Sequence, residues 1–74
     1  MDNSMTYREK VGAELRALRL SRKLSVRELA ERAGVGFTHI SAIENGKYNI
    51  RLDTIEQLLT ALDAEIVFVQ KNDE

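Results

Sequence analysis

The side chains best suited to touch another molecule are Phe37, Thr38, His39, Ser41 and Ala42, gathered in the stretch GFTHISAIENGK over residues 36–47. Their chemistry is recognition. Small hydroxyls, one imidazole and two apolar groups can hydrogen-bond or pack, but no nucleophile–base pair can be proposed, and no glycine-rich loop suits a phosphate. The acids are spread over predicted helix surfaces, so no enzymatic activity is expected. The 74-residue chain has no cysteine, which leaves no disulfide, thiolate nucleophile or sulfur-ligated zinc. His39 is the single histidine, so no histidine-pair metal site is available. Neither a metal nor a cofactor is expected.

Those residues need a scaffold, and apolar periodicity supplies one. Val11, Leu15 and Leu18 predict a first helix from Tyr7 to about Arg22. Ser25 followed by Glu28 is a capping-box pattern that starts a second helix, in which Val26, Leu29, Ala30 and Ala33 form one stripe. Gly34 stands where a left-handed residue ends that helix, and Val35 follows as a buried plug. A third helix opens at Gly36 or Phe37 and runs to about Asn45, closed by Gly46. A fourth spans about Leu52 to Leu62, with Leu52, Ile55, Leu58, Leu59 and Leu62 on one side. At about 100° per residue, Ile40, Ile43 and Glu44 fall on the inner side of the third helix. Thr38 and Ala42 then point outward, flanked by Phe37, Ser41 and His39. A face with so little bulk can enter a groove about 12 Å wide.

Glu44 on the inner side requires a partner, because an unpaired buried charge is costly. Arg19, one turn beyond Leu15, is the candidate for an ion pair beneath the third helix.

The formal charge of −1 conceals an asymmetry. Residues 1–51 hold ten basic against six acidic side chains, a net +4, while residues 52–74 hold one against six, a net −5. A local basic face, rather than the total, meets phosphates. The first ten residues carry no apolar run, which excludes a secretory signal, and the longest apolar run, residues 66–69, is far short of the roughly 20 residues of a membrane span. No membrane association is expected, and the location expected is cytoplasmic.

The segment LSVRELAERAGVGFTHISAIENGK resembles the helix-turn-helix of the Cro/C1 repressor-like, or XRE-type, regulators, with similarity over about residues 8–64. Ala30, Gly34, Val35, Ile40 and Ile43 match the packing positions of that motif, and IENGK is similar to its end. The resemblance implies a mainly α, lambda-repressor-like bundle of four to five helices whose third helix enters the DNA major groove. It places Phe37, Thr38 and Ala42 toward bases and Arg27, Asn45, Lys47 and Asn49 toward phosphates; of the residues that flank the outward face, Ser41 is expected to join the base contacts and His39 either reads a base or lies at the surface against a phosphate. Tyr48 either bonds a phosphate or shields the third helix; Arg51 either meets a phosphate or is a loop charge. Phe37 either covers the core edge or stacks on a thymine methyl. This sequence departs from the family pattern at Val26, where glutamine is frequent, at Phe37, where a polar residue is usual, and at Lys23, where glycine often ends the first helix.

Beyond Asp63 the period changes to a β-branched and aromatic run, EIVFVQ, which predicts a strand over 65–70. A lone strand cannot satisfy its backbone, so Ile66, Val67, Phe68 and Val69 are expected to pair across a two-fold homodimer, the alternative being a hydrophobic tail folded back on its own helices. The organisation expected is a tail at 1–6, a DNA-binding domain at 7–64, a dimerisation strand at 65–70 and a tail at 71–74. The function expected is a regulator, most simply a repressor, that binds a palindromic operator in double-stranded DNA. The alternative is an antitoxin whose partner is a protein toxin.

Overall fold

Two reciprocal caps start the first half of the molecule. Thr6 Oγ1 accepts from the Glu9 amide at 3.2 Å while Glu9 Oε1 accepts from the Thr6 amide at 2.8 Å, and helix α1 (Tyr7–Ser21) follows. Ser25 and Glu28 repeat the arrangement at 3.0 and 2.8 Å ahead of α2 (Val26–Ala33). Each box satisfies two of the N–H groups that a helix start leaves bare. The Ser25 amide and hydroxyl, bonding the charged form, hold the Glu28 carboxyl below the usual carboxylate range. Helices α3 (Phe37–Glu44) and α4 (Leu52–Ala61) begin at Gly36 and Arg51 without a side-chain cap. The computed structural model describes residues 4–71, and residues 1–3 and 72–74 of the two expected tails lie outside them.

The core is Leu15, Leu24, Leu29, Ile40, Ile43, Ile55, Leu58, Leu59 and Leu62: Leu24 joins it from the α1–α2 turn, whereas Leu52, expected on the inner side of the fourth helix, is 74% exposed at its first turn. Helix α3 packs on both α1 and α2, and α2 also packs on α4. Gly34 ends α2 with φ +71°, a conformation in which glycine bears no Cβ penalty, and its amide returns to the Ala30 carbonyl at 2.9 Å. Gln57 Nε2 reaches the Ala33 carbonyl at 3.2 Å, and Arg22 Nε reaches the Leu62 carbonyl at 2.9 Å. Side chains from neighbouring elements thus occupy carbonyls that the ends of α2 and α4 leave bare.

Lys23 makes the turn between α1 and α2 with φ +60°. A side chain in that conformation costs roughly 1–2 kcal/mol, part of which glycine regains as it loses more unfolded-state freedom. Lys23→Gly is therefore expected to raise stability by about 0.5–1 kcal/mol, seen as a higher urea midpoint at unchanged slope. An unchanged or lower midpoint would show that the turn carries no strain.

The strand expected over 65–70 is not formed, and the four helices are the regular elements among the described residues. The reason is the ladder: residues 65–71 make no backbone hydrogen bond with any described segment. Ile66, Val67, Phe68 and Val69 remain exposed, Phe68 at 94%.

Candidate nucleic-acid interface

Helix α3 is anchored from beneath. Ile40 and Ile43 are buried, and Arg19 on α1 grips Glu44 with two bonds, Nε to Oε2 at 2.7 Å and Nη2 to Oε1 at 2.9 Å. Its remaining fork nitrogen, Nη1, donates to the Leu24 carbonyl at 2.8 Å, so one guanidinium joins α1, the α1–α2 turn and α3. The Glu44 hydrogen bond outweighs burial and raises Arg19 above its ordinary value, which keeps the cation charged. No buried side-chain nitrogen or oxygen among the described residues lacks a partner.

A second fastening needs no side chain on α1. Gly12 sits so close to the end of α3 that a Cβ there would overlap the Ile43 carbonyl oxygen and lie 3.0 Å from that of Glu44. From sequence alone Gly12 is an isolated glycine in a helical pattern, which does not by itself point to this contact.

With its inner face fixed, α3 turns the predicted contact residues outward. Thr38 and His39 are exposed, Ser41 and Ala42 are partly so, and Phe37 is 39% exposed. The Phe37 ring lies beneath the Arg27 guanidinium, 4.0 Å from Cζ to the ring centroid. The rings of His39 and Tyr48 approach to 5.2 Å, which sets Tyr48 against the exposed side of α3.

The loop after α3 is tied to the same face. The Ser41 carbonyl accepts from both the Asn45 amide and Asn45 Nδ2, at 3.1 and 2.9 Å. The Lys47 amide bonds the Ala42 carbonyl at 3.0 Å, leaving the Lys47 side chain exposed. Gly46, at φ +71°, allows this turn to press on α1, since a Cβ would lie 2.9 Å from Glu9 Cα. Arg8 Nη1 donates to Asn49 Oδ1 at 2.9 Å, and Arg51 stands exposed at the start of α4. Arg8 is the residue that sequence reasoning misses, because its partner is 41 positions away. The structure thus brings Phe37, Thr38, His39, Ser41 and Ala42 to one surface with Arg27 beside them, and keeps Arg19, Glu44 beneath it and residues 66–69 apart from it. Among the described residues no acidic or histidine cluster could hold a metal ion, and no helix is long and apolar enough to cross a membrane.

Two helices joined at a left-handed glycine, the second clamped from below with its outer face free, define a helix-turn-helix domain. The helix-turn-helix family HTH_3 matches residues 15–69, and the chain belongs to this Cro/C1-type (XRE) family of transcriptional regulators, which is not a family of enzymes. It is 41% identical over 68 residues to the HTH-type transcriptional regulator y4dL of Sinorhizobium fredii, covering 90% of this chain and 35% of that protein. It is 49% identical over 55 residues to the HTH-type transcriptional repressor RghR of Bacillus subtilis, covering 73% of this chain and 41% of the repressor. The chain therefore spans well under half the length of these two curated relatives. Among solved structures it is similar to the restriction-modification controller protein C.AhdI from Aeromonas hydrophila, with a TM-score of 0.76 and 38% identity over 78% of this chain and 84% of the controller.

Proposed function

We propose that this chain is a sequence-specific DNA-binding regulator that represses transcription by occupying a palindromic operator as a homodimer, in the cytoplasm. The observation that carries the reading is α3 itself, with both isoleucines and Glu44 held inward while Thr38 and Ala42 face out on a surface without bulk. Phe37, His39 and Ser41 complete the face toward bases. Lys47, Tyr48, Asn49 and Arg51, with Asn45 shaping their loop and Arg8 joined to Asn49, would meet the phosphates that flank an inserted helix.

Residues 7–64 serve as the DNA-binding unit, and 65–70 serve as the dimer contact. Ile66, Val67 and Phe68 of the exposed run border a mostly apolar groove lined also by Val11, Leu15, Leu18 and Leu59, and a second copy of the same segment would supply the missing ladder partner. A two-fold dimer sets two recognition helices about 34 Å apart, one turn of DNA. Similarity to repressors and to a restriction-modification controller favours control of transcription over neutralisation of a toxin.

Selection from a random duplex pool tests this. The protein is expected to enrich a palindrome, with log affinity falling against log salt by about 0.9 per phosphate neutralised. Thr38→Asp and Ala42→Glu, which put carboxylates on the inserted face, are expected to abolish enrichment while melting normally. No enrichment by the parent protein, even at low salt, would overturn the proposal.

A further inference from the structure

Arg27 is the second residue of α2 and Phe37 the first of α3, so their stack bridges the two helices at the leading end of the outward face. Three other arginines of the domain are engaged: Arg8 with Asn49, Arg19 with Glu44 and Arg22 with the Leu62 carbonyl. Arg27 bonds no acceptor among the described residues. A cation over a ring is held by its face, while the N–H donors of a guanidinium lie in its plane. The ring therefore holds the Arg27 cation in place without using any of its hydrogen bonds.

That distinction separates two kinds of DNA contact. A phosphate needs a positive charge and accepts it from many directions; a base edge needs a planar fork held in one orientation. The N-terminal residues of a recognition helix are those that meet base edges, and Phe37 is the first residue of α3. On the DNA-binding reading above, we infer that Arg27 is a specificity-determining residue, stacked on Phe37 so that its fork addresses N7 and O6 of a guanine in each half-site. Phe37 is then a positioning residue for that fork. Arg27 is thereby reassigned from a phosphate, where family resemblance places it, to a base.

The test uses the duplex enriched by the parent protein and a set carrying each single base-pair change in both half-sites, measured across a salt series. Arg27→Ala and Arg27→Lys are each expected to lose about 5- to 150-fold discrimination at one symmetric G·C position and to keep it elsewhere. Phe37→Leu is expected to weaken discrimination at the same position, and Phe37→Tyr to retain it, because the tyrosine ring also stacks. Melting curves of all four variants establish that they fold. The inference is overturned if Arg27→Lys discriminates like the parent, or if Arg27→Ala weakens every duplex equally and flattens the salt slope by about one phosphate. Failure of the parent to bind any duplex would instead remove the DNA-binding reading, and it would be seen before any variant is compared.

Discussion

Glu44→Ala is expected to lower the stability of the domain by about 3–5 kcal/mol, the usual consequence of stranding one member of a buried ion pair. The two side chains are 8% and 6% exposed, and the variant leaves the Arg19 guanidinium under α3 with the Leu24 carbonyl as its remaining partner. A 74-residue domain has a total stability of roughly 4–11 kcal/mol, so much of the chain would unfold near 37 °C. The double variant Arg19→Met, Glu44→Leu removes both charges and is expected to be more stable than Glu44→Ala alone. Urea titrations of Arg19→Met, Glu44→Leu and the pair measure the coupling; simple additivity would show that the charges do not depend on each other.

The second large effect is expected at Gly12. Gly12→Val would push a branched side chain into the Ile43 and Glu44 carbonyls, which belong to the backbone of α3 and cannot rotate away. Relief requires separation of α1 from α3, at a cost of about 3 kcal/mol, the upper end of the range for overpacking. Gly12→Ala has the same sign with a smaller size, because alanine regains about 1 kcal/mol of helix propensity. In a domain this small the valine variant should melt more than ~10 °C lower. An unaltered melting temperature would mean that the two helices can part freely. Because Glu44 hangs from the same turn of α3, the valine should also displace the outward face and reduce operator affinity.

Both residues bear on what can be read from a linear chain. The helices are legible because apolar period and local caps are properties of neighbours in sequence, as at Ser25 and Glu28. The wheel likewise turns Glu44 inward beside Arg19, since a carboxylate among isoleucines demands a cation. The closeness of Gly12 to α3 is a different kind of fact: it depends on the distance between two helix axes, which no local pattern encodes. The same holds for Arg8 with Asn49 and for Arg27 over Phe37, pairs brought together by the packing of whole elements. The run 66–69 fails as a strand for a related reason. Its residue types favour extended backbone, but strand formation requires a neighbour, and the described residues provide none.

The bond from Arg22 to the turn after α4 has a consequence for how the sequence can drift. Arg22 Nε and Nη2 address main-chain oxygens, those of Leu62 at 2.9 Å and Asp63 at 3.4 Å, and every amino acid supplies such an oxygen. The receiving end is thus indifferent to which residues occupy those two positions, so long as the turn keeps its shape. The donating end is not, because lysine lacks the planar fork that spans two successive carbonyls. Dependence on side-chain identity is therefore one-sided: the link itself asks only for main-chain oxygens at the acceptor positions, where Leu62 answers to the core and Asp63 to its positive φ, whereas a single change at Arg22 removes it.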